Sequence, residues 1–119
     1  MTNYIREKVA FSRLHPKSSR LFASEVIHGA PYLTEYLKID LAEWVSQRSS
    51  QMRRWIDQGK MDEIDPLFLL FTIWGATQHY ADFEPQVTVA MGKDKLTDED
   101  FESAAKTLTH IILKGCGIK

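Results

Sequence analysis

The stretch that most constrains the fold is Asp65–Phe83, which reads DPLFLLFTIWGATQHYADF. Its first residue is a suitable N-cap and Pro66 suits the first helical position, so we predict a helix that begins at Pro66. Within the apolar run that follows, only Thr72 and Gly75 interrupt the large hydrophobic side chains. A helix of this composition has no polar face to turn toward water, and it should be buried on nearly all sides.

Helical spacing divides this central helix into two faces. One face carries Leu67, Leu70, Phe71, Trp74, Gln78 and Ala81. The second face is flatter and carries Phe68, Thr72, Gly75, Ala76, His79 and Phe83. A chain of 119 residues has much surface for its volume and little room to bury a helix on every side. We therefore predict that the first face packs inside the chain and the second against another copy of it.

Four further helices are predicted from apolar periodicity and from Pro and Gly boundaries: residues 2–15, 16–29, 33–58 and 97–115. The third is long and is expected to bend near Asp40. The fourth begins with a capping-box-like pattern at Thr97, and the segment 86–96 is predicted to be a loop with at most one helical turn. No strand alternation or hairpin dipeptide occurs, so the predicted fold is all-α with five helices.

The last of these helices also has an apolar side that contains small residues. Its members are Phe101, Ala104, Ala105, Leu108, Ile111 and Ile112. All of these except Ile111 are predicted interface residues. With the flatter face of the central helix, they would build a four-helix interface to which each of two copies contributes its last two helices.

Composition excludes several classes of function. The formal net charge of −1 and the scattered basic residues give no electrostatic reason to bind nucleic acid or an anionic membrane. The single cysteine, Cys116, excludes an internal disulfide, fits a reducing compartment and is expected in a frayed tail. No apolar signal core or membrane-length run is present, so the sequence predicts a cytoplasmic protein.

The sharpest functional cue is the pair Trp74 and Gln78, one helical turn apart, with Phe71 and Ala81 on the same face. A carboxamide in an apolar interior needs hydrogen bonds, and its donor and acceptor suit a small planar ligand that carries C=O and N–H groups. The indole beside it offers a surface for stacking. The alternative is that Gln78 bonds a neighbouring helix backbone and that Trp74 is ordinary core.

The sequence contains few features that would indicate an enzyme or a metal site. Glu25 and His28 have the i, i+3 spacing of di-iron bundle ligands, but such sites need two such motifs, and His79 with Asp82 has the reverse order. A small helical metalloenzyme therefore stays a minor alternative. No phosphate-binding glycine loop, cysteine pair or nucleophile motif occurs. We predict no enzyme activity, no cofactor and no metal.

Three segments are similar to a known family: SRLFASEVIHGAP at 19–31, IDP at 64–66 and IWGATQHYADF at 73–83. They resemble the C-terminal domain of TetR-type transcriptional regulators, above all the RutR branch, which regulates pyrimidine utilisation. The resemblance implies that residues 1–119 form an effector-binding and dimerisation domain. Operator DNA would be bound by an N-terminal helix-turn-helix domain, which is absent from this chain together with the linking helix.

In the RutR branch the effector is uracil or thymine, and the tryptophan and glutamine of that branch match Trp74 and Gln78. The resemblance thus implies a homodimer with a pyrimidine effector. The competing interpretation is a helical protein–protein interaction module without a ligand.

Overall fold

The computed structural model describes residues 1–33, 35 and 37–118, and every regular element in these residues is helical. The α-helices are α1 (Thr2–Leu14), α2 (Pro16–Ile27), α3 (Ala42–Asp57), α4 (Pro66–Asp82), α5 (Glu84–Met91) and α6 (Asp98–Gly115). The fold has principal extents of 46 × 36 × 18 Å, so it is about two helix diameters thick. The all-α prediction is confirmed. Within the described ranges, no helix has both the length and the apolarity needed to cross a membrane.

Helix α4 occupies the centre and contacts α1, α2, α3, α5 and α6. Its innermost side chains are Leu69, Leu70, Ile73, Thr77 and Ala81, all of them buried. Leu70 and Ala81 belong to the first predicted face, whereas Leu69, Ile73 and Thr77 belong to neither predicted face. The prediction that Leu67 and Phe71 pack inside the chain is therefore wrong, since both are exposed.

The predicted helix starts are confirmed at two N-caps. The backbone N–H of Leu67 donates to Asp65 Oδ1 over 2.9 Å at the start of α4. At α6 the Thr97 and Asp100 side chains each accept from the other's backbone N–H, over 3.2 and 2.9 Å, which completes the capping box. Both caps satisfy amides that a helix otherwise leaves without partners.

Helix α5 replaces most of the loop that was predicted at 86–96, so that prediction is wrong. Pro85 lies in the first turn of α5, where a helix loses no internal hydrogen bond through the missing N–H. The helix ends at Gly92, whose φ of 70° is left-handed. Pro85 thus marks the start of a new helix, and the fold has six α-helices where five were predicted.

Helix α6 packs extensively on α1, which decides where its apolar side points. Three predicted interface residues, Ala104, Ala105 and Ile112, are buried inside the subunit, and Leu108 packs against the same core. The small alanines suit close packing with another helix. These residues thus pack within the subunit, and their predicted role in a dimer interface stays a prediction.

The long third helix predicted from 33 to 58 is interrupted near its start. Leu37–Leu41 forms a π-helical turn that leads directly into α3, at the place where a bend was expected near Asp40. Two positions of the predicted range, 34 and 36, lie outside the described residues. Such π-helical turns are frequent at functional sites, and this one contributes to the cavity described below.

The end of the chain is part of the core, and the prediction of a frayed tail is wrong. Cys116 is 1% exposed and belongs to the same hydrophobic cluster as Ile5 and Leu70. Its carbonyl accepts from the backbone N–H of Asp62 over 2.8 Å, which fastens the loop before α4 to the end of α6. Burial, with a smaller contribution from the Asp62 carboxylate, raises the pKa of the Cys116 thiol.

We expect Gly117→Ala to destabilise the fold. Gly117 has a φ of 66°, and an added Cβ would collide with the Asp62 carboxylate. Left-handed backbone strain and displacement of Asp62 together should lower the free energy of unfolding by about 1–3 kcal/mol. Urea denaturation would measure the change.

The matched control is Gly115→Ala. An added Cβ at Gly115 meets nothing within 4 Å, so this variant should unfold at the same or a higher urea concentration. Equal stability of the two alanine variants would contradict the role given to the tail.

Candidate ligand-binding site

A cavity of about 640 Å³ lies between α1, α2, the π-helical turn, α3 and α4. Most of its lining is apolar or aromatic, and α2 contributes Phe22, Ala23, Val26 and Ile27. Its polar lining residues are Tyr4, Lys8, Asp40 and Gln78. A mostly apolar cavity with a few converging polar groups is the usual form of a small-molecule site.

Three aromatic side chains, Tyr4, Trp44 and Trp74, form one wall and are called the aromatic cluster here. The rings of Tyr4 and Trp44 have centroids 5.8 Å apart, and those of Trp44 and Trp74 are 6.1 Å apart. The guanidinium of Arg48 lies 5.2 Å from the Trp44 ring centroid, within cation–π range. The cluster therefore offers a fixed aromatic surface on which a planar ligand can stack.

A hydrogen bond fixes two members of this wall relative to each other. Trp74 Nε1–H donates to Tyr4 Oη over 2.7 Å, and this bond joins α4 to α1. Burial raises the pKa of the Tyr4 phenol, while the bond from Trp74 opposes that shift. The phenol is therefore neutral and protonated at physiological pH.

Gln78 lies one turn beyond Trp74 on α4 and also lines the cavity. Its side chain is half-buried, and its carboxamide makes no hydrogen bond within the described part of the chain. The alternative in which Gln78 bonds a neighbouring helix backbone is thus not what the fold contains. A carboxamide with both donor and acceptor free can bond a ligand through two adjacent groups.

Two ionisable groups also line the cavity. Lys8 lies one turn after Tyr4 on α1, and Asp40 comes from the π-helical turn. Burial lowers the pKa of the Lys8 amine, and the Asp82 carboxylate opposes the shift. The lining thus combines neutral hydrogen-bonding groups with one side chain of each charge.

The α2 wall of the cavity is tied to the end of α4. Ser19 Oγ donates to Asp82 Oδ1 over 2.6 Å, and Arg20 Nη1 donates to the Ala81 carbonyl over 3.2 Å. Arg20 also lies 3.9 Å from the Glu84 carboxylate, at the start of α5. A displacement of α2 by a ligand would therefore act on the junction between α4 and α5.

Two of the four predicted site residues line the cavity, and two lie elsewhere. Trp74 and Gln78 line it. Phe71 is 47% exposed, with its ring centroid 5.8 Å from that of Trp74. Ala81 is fully buried against α2. Phe71 and Ala81 do not line this cavity, and their predicted ligand-binding role stays a prediction.

Sequence reasoning missed the residues that other helices contribute. Tyr4 and Lys8 are spaced by four residues on α1, which places both on one side of a helix, but nothing in that spacing indicates a cavity. Trp44 falls within the predicted helix 33–58, and nothing in its local sequence indicates a cavity. Which residues line the cavity depends on how α1, α3 and α4 pack against one another. The apolar periodicity within a single helix does not specify that packing.

Glu25 and His28, the possible metal ligands, are engaged locally. Glu25 Oε1 accepts from the backbone N–H of Tyr32 over 2.6 Å, and the His28 Nδ1 atom lies 2.7 Å from the Ser24 carbonyl oxygen, at donor distance. Among the residues that the structure describes, no group of three or more His, Cys, Asp or Glu side chains could hold a metal ion.

The side of α4 away from α1 is an exposed apolar face. Its exposed residues include Phe68, Thr72, Gly75, His79 and Phe83. Phe68 and Phe83 are 63% and 53% exposed, and the Phe83 ring stacks on His79 with centroids 5.3 Å apart. An apolar surface of this kind on a small domain indicates a contact site.

A groove of about 590 Å³ continues this face between the end of α4, α5 and the start of α6. Its lining includes the predicted interface residues His79 and Phe101 and the α5 residues Val87, Ala90 and Met91. Phe101 is half-buried, with its ring centroid 6.5 Å from that of Tyr80. The groove and the face together form one continuous surface.

Comparison with known proteins places the chain among regulators. Residues 1–119 match the family described as "YcdC-like protein, C-terminal region", a TetR-type C-terminal region. The chain is 40% identical over 112 residues to the HTH-type transcriptional regulator RutR of Escherichia coli (strain K12), and to those of Escherichia coli O157:H7 and Shigella flexneri. Each match covers 94% of this chain and 53% of the regulator.

The chain thus spans about half the length of the curated relatives that it matches. Those relatives are named as transcriptional regulators and not as enzymes. The chain belongs to the TetR-type family with a YcdC-like C-terminal region.

Proposed function

We propose that this chain is the effector-sensing and dimerisation domain of a transcriptional regulator, and that its effector is a small planar pyrimidine such as uracil or thymine. The observation that carries the proposal is the free carboxamide of Gln78 at the wall of an apolar, aromatic cavity. Its amide atoms reach solvent and no protein group within the described ranges occupies them, so both the donor and the acceptor are available to a ligand.

Pyrimidine bases suit this wall chemically. Uracil presents adjacent C=O and N–H groups in one plane, and a carboxamide bonds such a pair through its own N–H and C=O. The aromatic cluster offers the ring a surface for stacking beside Gln78. The resemblance of the sequence to the RutR branch implies the same class of effector.

The exposed face of α4 would bind the same face of a second copy. Its centre consists of Thr72, Gly75 and Ala76, which would allow two α4 helices to approach closely. The groove beside α5 and α6 would receive side chains of the partner. In this homodimer α4 carries the cavity on one side and the interface on the other.

This arrangement suggests how an effector would act on DNA. Operator DNA would be bound by a helix-turn-helix outside these residues, held in one geometry by the dimer. A ligand that favours one position of α2 would act on the α4–α5 junction through Ser19 and Arg20. Only a difference in ligand affinity between two arrangements shifts the DNA-bound population, and such coupling is typically about 1–3 kcal/mol.

Calorimetric titration with uracil, thymine and their ring-opened relatives tests the effector. We expect uracil or thymine to bind with a Kd in roughly the micromolar range, because a ligand with so few atoms gains limited binding free energy. The ring-opened compounds, which lose planarity, should bind at least about tenfold more weakly. If neither uracil nor thymine gives a saturable heat of binding, the pyrimidine assignment is refuted.

The second candidate is a helical interaction module without a ligand, which the exposed apolar face of α4 favours. It predicts association with a protein and no small-molecule binding in the cavity. The same titrations separate the two candidates, since a ligand-free module shows no saturable heat with any of these compounds.

A further inference from the structure

We propose that α2 is the movable wall of the cavity, and that Arg20 transmits its displacement to α5, a helix that the cavity does not reach. The inference rests on the proposed function, because it treats the cavity as the effector site. It goes beyond that function by naming the helix whose order changes when the cavity is occupied.

Helix α2 leaves apolar side chains exposed on its cavity side. Among the described helices it packs only against α1 and α4, and it makes no contact with α3 across the cavity. Its cavity-lining side chains Phe22, Val26 and Ile27 are 39%, 42% and 74% exposed. A ligand that covers this apolar surface removes it from water, which favours a position of α2 closer to the aromatic cluster.

Arg20 braces the joint between α4 and α5. Helix α4 ends at Asp82 and α5 begins at Glu84, so Phe83 is the only residue between them. Arg20 Nη1 donates to the Ala81 carbonyl over 3.2 Å on the α4 side and lies 3.9 Å from Glu84 Oε2 on the α5 side. One side chain of α2 thus contacts both helices that meet at this joint.

A second contact ties α2 to the same place. Ser19 is buried, and its Oγ donates to Asp82 Oδ1 over 2.6 Å. The Asp82 carboxylate also interacts electrostatically with Lys8, which lines the cavity from α1. Ile27 lies about 10 Å beyond Arg20 along the axis of α2, so a displacement of the cavity end of this helix also turns the end that holds the joint.

Helix α5 is the element that such a displacement would affect. Within the described part of the chain it packs against α4 and against no other helix, and it follows α4 after a single residue. None of its residues lines the cavity, whereas Val87, Ala90 and Met91 line the groove beside α6. A change at the joint would therefore alter the surface that we assign to a second copy of the chain.

Hydrogen exchange of the α5 amides, with and without saturating uracil, tests the inference. We expect uracil to slow this exchange at least about fivefold, the lower end of typical coupling between two sites. In Arg20→Met, exchange in α5 without ligand should be faster than in the unmodified protein, and uracil should no longer slow it. Uracil affinity should stay within about threefold, because Arg20 does not line the cavity.

Arg13→Met is the matched control. Arg13 lies 3.6 Å from Asp98, and its side chain is nearly as exposed as that of Arg20, but this ion pair joins α1 to α6. Partly exposed ion pairs contribute little to stability, so both variants should stay folded. Arg13→Met should keep the full response of α5 to uracil, whereas Ser19→Ala, which removes the other tie, should weaken it.

The outcomes separate this inference from the proposed function. Binding of uracil without any change in α5 exchange would overturn the inference alone, and so would a full response to uracil in Arg20→Met. A protein that binds no uracil would overturn the effector assignment and this inference with it.

Discussion

Gln78→Met is expected to lose uracil affinity by about 30- to 700-fold. Methionine keeps the length and flexibility of glutamine but offers no donor or strong acceptor. The C=O and N–H groups of bound uracil would then be buried without partners at a cost of about 1–2 kcal/mol each, which corresponds to this range. The stability of the fold should change little, because Gln78 makes no hydrogen bond within the described residues.

The measurement is calorimetric titration of both proteins with uracil, after thermal denaturation has established that the variant is folded. Gln47→Met is the matched control, since Gln47 is an exposed residue of α3 and should have no effect. Unchanged uracil affinity in Gln78→Met would mean that the ligand lies elsewhere or does not bind through an amide pair.

Gly75→Leu is expected to convert the dimer into monomers by raising the dimer Kd at least about 100-fold. Gly75 lies at the centre of the exposed face of α4, where a leucine would hold two helices apart. The increase corresponds to about 3 kcal/mol, an ordinary loss for the centre of an interface.

The same substitution is harmless within one subunit, which makes the result interpretable. A Cβ at Gly75 meets no atom within 4 Å, and leucine favours a helix over glycine by roughly 0.8 kcal/mol. The monomer should therefore stay folded. Sedimentation equilibrium would measure the association, with Ser50→Leu on the exposed side of α3 as the control. A Gly75→Leu dimer as tight as the original would exclude this face.

The sequence specified the elements of this fold better than their contacts. Asp65 with Pro66, and Thr97 with Asp100, predict helix starts because capping is local chemistry. The start of α5 was missed, since the segment 86–96 was predicted to be a loop, although Pro85 fits the first turn of a helix. A prediction from sequence must therefore consider where in a helical turn a proline would lie, and not only that a proline is present.

The faces of the helices were harder to predict for a physical reason. An apolar side chain is equally suited to the interior of its own subunit and to an interface with a second copy. Ala104 and Ile112 lie in the first of these environments, while Phe68 is exposed in a single subunit. Periodicity identifies an apolar side but carries no information about which molecule covers it.

The candidate site was predicted only as far as it lies on one helix. Trp74 and Gln78 share α4, so their spacing brings them together without knowledge of the fold. Tyr4 is 70 residues distant from Trp74 in sequence, and their hydrogen bond depends on the packing of α1 against α4. The contribution of Tyr4 to the cavity wall could for that reason not be predicted from the sequence.

The most direct test of the account is a crystal structure of the protein grown with uracil. We predict density for the base in the cavity beside the aromatic cluster, with the Gln78 carboxamide at hydrogen-bond distance from an adjacent C=O and N–H pair. Uracil bound at another place, or a cavity filled by the protein's own side chains while uracil is saturating in solution, would contradict it.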